Sequence, residues 1–175
     1  MSSMLPENLL TRLRVEEFLF AECDLLDRWQ LDDWLKLYTD DCRYEVGPTG
    51  KADSDELSSA TSLFLIADDR FRLEQRLVRM SKTTCHAEYP RSRTRHLYSN
   101  VRVAGREGQV LDVRANFATY RTNRGITNTY VGHLLYTLVE QSGEGPATEQ
   151  FRVRKKRVTL DLDNLVPQGK VTILL

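Results

Sequence analysis

The chain has 175 residues, with 25 basic and 25 acidic side chains that cancel to a formal net charge of zero. No bulk electrostatic field therefore favours nucleic acid or a membrane surface, and we expect neither as a partner. The 41% hydrophobic and 29% charged composition is ordinary for a globular protein, and we expect residues 1–175 to form one domain.

The N-terminal segment predicts neither a leader peptide nor a membrane helix. Charged residues between Arg12 and Glu17 interrupt the first apolar run, and no stretch approaches the roughly 18 apolar residues of a membrane span. The three cysteines, Cys23, Cys42 and Cys85, are odd in number and irregularly spaced, as is typical of reduced thiols. We therefore expect a cytoplasmic protein.

The first half of the chain is predicted to be mostly helical. Apolar residues at spacings of three and four predict a first helix from about Leu9 to Trp29. A shorter helix is predicted around Trp34, and a short strand is predicted over Cys42 to Val46. Residues 47–50 interrupt the chain with Gly and Pro, and Thr61 to Ile66 is predicted to form a second short strand.

A third helix is predicted to begin after Asp68 or Asp69, because a carboxylate there accepts hydrogen bonds from the free N–H groups of the first turn. The pattern predicts a buried side that is formed by Phe71, Leu73, Leu77 and Met80. It predicts a solvated side that is formed by Arg70, Arg72, Arg76 and Arg79.

The second half of the chain is predicted to form four long strands, over about Arg93 to Ala104, Val110 to Thr122, Ile126 to Glu140 and Glu149 to Leu162. The third of these strands is apolar on both faces between Tyr130 and Val139. We expect both faces to be covered, one by helices and the other by a second subunit.

The fourth long strand changes its apolar phase. Phe151 and Val153 are apolar at odd positions, whereas Val158 and Leu160 are apolar at even positions. Since a one-residue shift moves every side chain to the other face, we expect a bulge or bend near Arg154 to Arg157. The basic residues of this strand are interpreted as solvated charges of an edge strand, with docking of a partner as the alternative.

Helices in the first half and strands in the second indicate an α+β fold rather than an alternating α/β fold. We expect three N-terminal helices to pack on a strongly bent, mostly antiparallel sheet that curls around the first helix. This cone-shaped arrangement resembles the cystatin-like and nuclear-transport-factor-2-like fold, which by itself does not define a function.

A metal site is not expected in this chain. A Rieske centre needs two Cys and two His in close pairs, and only Cys85-His86 is such a pair. The three histidines are His86, His96 and His133, and their spacing does not place two on one face of one element, as a non-haem iron site requires. Gly105 to Gly108 is predicted to be a hairpin turn and not a phosphate-binding loop.

A cone-shaped fold can hold a pocket in which a carboxylate or a histidine acts as a general base. His96, Asp27 and Tyr44 are the candidates for such a stand-alone dehydratase or isomerase. Structural roles are favoured instead, because Asp24 and Asp27 are predicted to lie on the solvated face of the first helix. His133 is predicted to be a hydrogen-bonded histidine of the core or of an interface, and His96 is predicted to have a structural role.

The most basic segment begins at Tyr89 and continues into a strand. Arg91, Arg93 and Arg95 occupy alternate positions, so in an extended chain they project from one side. Guanidinium groups suit the carboxylates of a partner protein and tolerate burial at an interface better than ammonium groups do. The segment is either a docking surface or a solvated strand end.

Several segments of the chain, taken in order, resemble the small (beta) subunits of aromatic-ring-hydroxylating dioxygenases. The most specific of them is Pro90-Arg91-Ser92-Arg93-Thr94-Arg95-His96, which leads into Ser99-Asn100-Val101. The supporting segments are Val15-Glu16-Glu17-Phe18-Leu19, Leu25-Leu26-Asp27, Trp34-Leu35, Asp68-Asp69-Arg70 and Val166-Pro167-Gln168-Gly169-Lys170.

The resemblance implies a non-catalytic subunit that holds no metal and joins a large (alpha) subunit in an α3β3 assembly. The large subunit would hold a Rieske [2Fe–2S] cluster and a mononuclear Fe(II). NADH or NADPH would supply electrons through a reductase, sometimes with a ferredoxin. The complex would add O2 to an aromatic ring, for example of benzoate or p-cumate, to give a cis-dihydrodiol.

The same resemblance implies that this chain contacts copies of itself around a three-fold axis and docks the large subunits. The residues that are predicted to lie at these subunit interfaces are Arg91, Arg93, Arg95, His96, Tyr130, His133 and Leu135.

Overall fold

A computed structural model describes residues 6–50, 54–82, 88–143, 145–166 and 169–175. The helices are α1 (Glu7–Asp27), α2 (Leu31–Lys36), α3 (Arg70–Ser81) and α4 (Ala147–Gln150), and a 3₁₀ turn spans Ser54–Glu56. The strands are β1 (Tyr38–Val46), β2 (Ile66–Asp69), β3 (Arg93–Glu107), β4 (Val110–Asn123), β5 (Ile126–Glu140) and β6 (Phe151–Leu160). The Cys85-His86 pair and Pro167-Gln168 lie outside the described residues.

The six strands form one sheet in the order β2-β1-β6-β5-β4-β3. Every neighbouring pair is antiparallel except β1 and β6, which run parallel. The predicted α+β class, with helices on a mostly antiparallel sheet, is therefore confirmed. None of the helices among the described residues is both long enough and apolar enough to cross a membrane.

Helix α1 packs its apolar side on one face of the sheet, which we call the inner face. Val15, Phe18 and Leu19 are fully buried, as their spacing predicts. The Phe18 ring meets the Phe151 ring of β6 edge-on, with centroids 5.6 Å apart. The helix ends at Asp27, two residues before the predicted end, because Trp29 has a φ of 56°, which a right-handed helix does not allow.

Strand β6 contains the bulge that its change of apolar phase predicts. Thr137 of β5 pairs with Lys155, whereas the next residue, Leu138, pairs with Val153. Arg154 is therefore the extra residue, and the apolar side chains on both sides of it face the core.

The strand is not an edge strand, however, because it lies between β1 and β5, so the interpretation of its charges as solvated edge charges is wrong.

The second short strand was predicted too early in the chain. It spans Ile66–Asp69 rather than Thr61 to Ile66, because only those four residues pair with the last four residues of β1. The preceding segment forms no strand, and the Leu63 side chain is 91% exposed. The apolar residues alone therefore predicted the wrong position for β2. Its position depends on which residues of β1 are available for pairing.

Helix α3 has the predicted cap and most of the predicted buried side. The Asp69 carboxylate accepts a hydrogen bond of 2.9 Å from the N–H of Arg72, while Leu73, Leu77 and Met80 are buried. The prediction that Phe71 is buried is wrong, since 68% of it is exposed. Its position in the first turn, directly beside the cap, leaves it outside the core.

The turn after β3 is shorter than predicted. Strand β3 continues to Glu107, so Gly105 is a strand residue and the turn consists of Gly108 and Gln109. Gly108 has a φ of 59°, which suits glycine in such a two-residue turn.

Candidate functional site

A fully buried ion pair joins α1 to β6 inside the fold. Glu22 and Lys156 both have side chains that are 0% exposed, and Lys156 Nζ lies 3.0 Å from Glu22 Oε1. Lys156 also donates a hydrogen bond of 3.1 Å to the hydroxyl of Tyr98. Three further groups donate to the Glu22 carboxylate, namely Trp34 Nε1 at 3.1 Å, Tyr38 OH at 3.3 Å and Tyr136 OH at 2.6 Å. The pair is thus compensated by charge and by hydrogen bonds.

The phenol groups around this ion pair are neutral, and those of Tyr38 and Tyr136 donate to the Glu22 carboxylate. Burial raises the pKa of Tyr38, Tyr98 and Tyr136 well above the ordinary value for tyrosine, and the nearby carboxylate of Glu22 raises each further. Burial likewise raises the pKa of the Cys23 thiol far above its ordinary value. A protonated thiol and protonated phenols are poor nucleophiles and bases, so this cluster is suited to stabilising the fold rather than to catalysis.

Neither Glu22 nor Lys156 was predicted from the sequence to be buried, although each occupies a core position in the apolar pattern of its helix or strand. Glu22 falls on the apolar side of α1, between Leu19 and Leu26. Lys156 falls in the inner phase of β6 once the bulge at Arg154 is counted. A charged residue at a core position of each element could have indicated that the two elements meet there.

His96 and Asp27 form a second buried pair, between β3 and the end of α1. The His96 Nδ1 atom lies 2.6 Å from Asp27 Oδ1, and the His96 backbone N–H donates to both carboxylate oxygens at 3.2 Å. The side chains are 1% and 9% exposed. The prediction that Asp27 lies on the solvated face of the helix is therefore wrong, whereas Asp24 is 64% exposed, as predicted.

Both ring nitrogens of His96 face hydrogen-bond acceptors. Its Nε2 atom lies 2.9 Å from the carbonyl oxygen of Leu174, and its Nδ1 atom lies 2.6 Å from the Asp27 carboxylate. Burial would raise the pKa of the Asp27 carboxyl, but hydrogen bonds from His96 and its charge hold that pKa below the ordinary value of 3.8.

The C-terminal residues of the sequence cover this pair. Ile173, Leu174 and Leu175 are all buried, and Leu175 donates its N–H to the hydroxyl of Tyr44 at 2.9 Å. The space beside His96 is a crevice of about 10 Å³, which is at the lower limit of the room that one water molecule needs. Of the three candidates for an acid–base site, His96 and Asp27 are therefore in contact, but Tyr44 reaches them only through this segment.

We expect Asp27→Asn to lower the free energy of unfolding by about 1–3 kcal/mol at pH 7, because His96 loses its ionic acceptor. Since the folded pKa of Asp27 lies below 3.8, its stabilising effect exists above that pH and is lost as the pH falls through the folded pKa. Urea unfolding at pH 7 and pH 3.5 measures both effects. The control D24N should change little at either pH, and an equal effect of D27N at both would contradict the pairing.

The three arginines of the basic segment, Arg91, Arg93 and Arg95, are exposed and alternate with buried residues, as predicted. We call these three residues the basic patch. The Arg91 guanidinium lies over the Trp29 ring, 5.6 Å from its centroid, and Arg95 lies 3.4 Å from the Asp27 carboxylate. Among the described residues, Arg93 has neither a hydrogen-bond partner nor an ion-pair partner for its side chain, so it is available to a partner protein.

Strand β5 exposes only part of its outer face, which is the face opposite α1. Tyr130 lies on the inner face and is buried, and so is His96 on β3, so neither side chain is exposed to a second subunit. His133 and Leu135 lie on the outer face and are partly exposed. His133 Nε2 contacts the Asp55 carboxylate at 2.8 Å, which attaches the 3₁₀ turn to the sheet.

No metal site is found in the part of the chain that the structure describes. Within those ranges, no group of three or more His, Cys, Asp or Glu side chains is placed to hold a metal ion. His96 and His133 lie on opposite faces of the sheet, so they do not converge. Cys23 and Cys42 are free and buried.

Comparison with known proteins finds one family across most of the chain. Residues 21–166 match the family described as the ring hydroxylating beta subunit. The chain is 46% identical over 167 residues to the small oxygenase component of the p-cumate 2,3-dioxygenase system of Pseudomonas putida, covering 95% of this chain and 88% of that protein. It is 30% identical over 152 residues to the beta subunit of 3-phenylpropionate/cinnamic acid dioxygenase of Photorhabdus laumondii, covering 84% and 82%.

The fold is similar to that of a solved structure of the same kind. The beta subunit of benzoate 1,2-dioxygenase from Burkholderia mallei superposes with a TM-score of 0.68 at 25% identity, covering 98% of this chain and all of that one. The predicted cone-shaped α+β fold is confirmed by this match together with the mixed six-stranded sheet.

Proposed function

Since this chain belongs to the ring hydroxylating beta subunits and is thus the small subunit of an aromatic-ring-hydroxylating dioxygenase, we propose that it acts there by assembling and stabilising the catalytic subunits. One observation carries this role. The interior of the cone, where a cone-fold enzyme would bind a substrate, is filled by Ile173, Leu174 and Leu175. Among the described residues, the stand-alone dehydratase or isomerase that would use His96, Asp27 and Tyr44 finds beside His96 only a crevice of about 10 Å³.

The proposed partner is a large (alpha) subunit that holds the Rieske [2Fe–2S] cluster and the mononuclear Fe(II). In the overall reaction, NADH or NADPH would give two electrons through a reductase, with or without a ferredoxin, and both atoms of O2 would take up two protons and enter the aromatic ring as hydroxyl groups. The ring becomes a cis-dihydrodiol. The free, buried thiols of Cys23 and Cys42 are consistent with a cytoplasmic location for the complex.

An aromatic carboxylic acid is the substrate class that we propose for the complex. The support is the 46% identity to the small component of a p-cumate dioxygenase system and the structural similarity to a benzoate dioxygenase subunit. We assign recognition of this substrate to the large subunit, because the described C-terminal residues Ile173, Leu174 and Leu175 are buried and leave little space beside His96.

We propose an α3β3 assembly in which the outer face of β5 contacts a second copy of this chain. The supporting residues are Val131, His133 and Leu135, which are only partly covered within one chain. A strand with apolar residues on both faces is stable when both faces are covered. Repetition of one such contact around a three-fold axis closes the ring. The basic patch, in which Arg93 has no salt bridge among the described residues, is then the surface that docks a large subunit.

We expect the variant R93A/R95A to bind the large subunit about tenfold more weakly, because guanidinium groups at an interface pair with carboxylates. The single variant R93A separates docking from folding, since Arg95 also pairs with Asp27 at 3.4 Å within the chain. Light scattering of co-expressed complexes measures the effect. The control R79A removes an exposed arginine of α3, and an unchanged mass for R93A/R95A would reject the docking role.

The assembly role is tested by co-expressing this chain with the oxygenase large subunit from its own operon. We expect a stable complex with equal numbers of the two subunits and with iron bound only to the large one. Native mass spectrometry gives the stoichiometry, and metal analysis of the separated subunits gives the iron content. A small subunit that remains separate from the large subunit would overturn the proposal.

A further inference from the structure

A row of side chains crosses the outer face of the sheet from β3 to β1. Arg102 of β3 lies directly opposite Arg114 of β4, and Arg114 lies opposite Leu135 of β5. Leu135 in turn lies opposite Arg157 of β6, which lies opposite Glu45 of β1. Directly opposite residues project from the same face of a sheet, so three guanidinium groups share this row.

Among the described residues, only one of the three arginines in this row forms an ion pair with a carboxylate, although the charge of Arg114 also acts on the Asp55 carboxylate. Arg157 donates to the Glu45 carboxylate from Nε at 2.9 Å and from a terminal nitrogen at 2.7 Å. Arg102 and Arg114 are exposed, and neither forms a hydrogen bond or a salt bridge with a carboxylate in the described ranges. Since like charges directly opposite each other destabilise a strand pair, these two arginines are better explained by a partner than by the fold.

A groove of about 380 Å³ is lined in part by Arg114, one of these two arginines. Leu135 and Tyr136 contribute to its lining, together with Arg114 and Lys155. The acidic residues of the groove are already engaged. Asp55 pairs with His133 at 2.8 Å, and Asp112 accepts a hydrogen bond of 3.2 Å from Thr137. The groove therefore offers an apolar surface with one cation, Arg114, that has no salt bridge among the described residues.

We propose that Arg102 and Arg114 together bind a carboxylate side chain of a second copy of this chain. The inference rests on the proposed function, in which the outer face of β5 is the contact between copies. Leu135 lies in the same row as the two arginines, so a copy that covers Leu135 also covers the arginines. Guanidinium groups that lose their bound water at such a contact need a carboxylate as a partner. Two adjacent guanidinium groups can bind the same carboxylate from its two sides.

The chain carries carboxylates that could fill this role. Glu17, Asp40 and Asp163 are exposed, and none of them forms a salt bridge in the part of the chain that is described. A contact around a three-fold axis joins two different surfaces of the same chain. The basic row on one copy can therefore meet an exposed carboxylate on a different surface of the next copy.

The first test measures the mass of the co-expressed complex for R102Q/R114Q at low and at high salt. We expect association between copies to weaken about tenfold relative to the unchanged chain, and to become less sensitive to salt. The control R79Q should leave both properties unchanged. An assembly of R102Q/R114Q that equals the unchanged complex in mass and in salt response would overturn the inference and leave the proposed function standing.

The second test identifies the partner carboxylate. A lysine that R114K introduces should form an amide bond with a carboxylate within contact distance when a carbodiimide activates that carboxylate. Mass spectrometry of complexes that mix ¹⁴N- and ¹⁵N-labelled copies distinguishes a link between copies from a link within one. We expect a link between copies for R114K and none for the control R79K.

The outcomes of the second test separate the inference from the proposed function. A link from R114K only to the large subunit, or only within one chain, would overturn the inference. If the unchanged chain neither self-associates nor joins the large subunit, the proposed function itself fails. A link between two small subunits supports both.

Discussion

Replacing Lys156 with Met will lower the free energy of unfolding by about 3–5 kcal/mol, because it leaves the Glu22 carboxylate buried without a cation. Both side chains are 0% exposed, so water cannot replace the lost ammonium group without rearrangement of the core. The hydroxyl of Tyr98 loses its donor in the same variant. Urea unfolding of the purified chain, followed by circular dichroism, measures the loss.

The neighbouring residue provides a matched control. Lys155 lies on the outer face, is 41% exposed and is 3.4 Å from the Glu45 carboxylate. K155M removes the same charge from the adjacent position of the same strand. It should lower the free energy of unfolding by only about 0–1 kcal/mol, since exposed ion pairs contribute little to stability. Equal losses for the two variants would contradict the burial of Lys156.

The double variant E22Q/K156M tests whether the two residues act as a unit. The remaining amide is uncharged, so the double variant should be less destabilised than the sum of the single variants E22Q and K156M. Strict additivity of the three measurements would show that the two charges do not interact. That result would reject the buried ion pair.

Replacing Gly132 with Ala will separate β5 from β6 and lower the free energy of unfolding by about 3 kcal/mol or more. A Cβ atom at Gly132 would lie well inside contact distance of the Thr159 carbonyl oxygen and 3.1 Å from Leu160 Cα. These are backbone atoms of the neighbouring strand, so they cannot rotate away as a side chain would. The strands must move apart at the centre of the sheet.

Gly105 offers the control for this variant. It also lies within a strand, but a Cβ atom there would meet only the Asp112 side chain, at 3.6 Å. G105A should therefore change stability by less than about 0.5 kcal/mol. Urea unfolding of both variants makes the comparison, and a G132A chain as stable as the G105A chain would contradict the close approach of β5 and β6.

The spacing of apolar residues along the sequence determined which faces of the helices and strands are buried. The apolar spacing of α1 placed Val15, Phe18 and Leu19 in the core. The alternation after Tyr89 placed the basic patch on one exposed side of the segment that leads into β3. The phase change in β6 predicted a bulge near Arg154 to Arg157, and the structure locates it at Arg154. These features follow from the helical and strand periods, which any segment carries within itself. The segments that resemble the beta subunits also identified the family, which the match of residues 21–166 confirms.

Contacts between distant segments could not be obtained in that way. His96 and Asp27 are 69 positions apart, and Lys156 and Glu22 are 134 positions apart. The spacing of apolar residues shows which side of a helix or strand faces the core. It does not show which other helix or strand packs against that side. Asp27 was therefore expected in solvent, and Lys156 was expected on an edge, because each was judged without its partner.

The order of the strands decided the remaining features. Strand β6 is central because β1 runs parallel beside it, a pairing between segments more than 100 residues apart. That pairing places Lys156 in the core and Arg157 beside Glu45. The packing of Ile173, Leu174 and Leu175 over His96 likewise depends on the completed fold. The local spacing of apolar residues thus specified the helices and strands. The assembled sheet was needed to form the buried charge pairs, the packing of the C-terminal residues over His96 and the row of arginines.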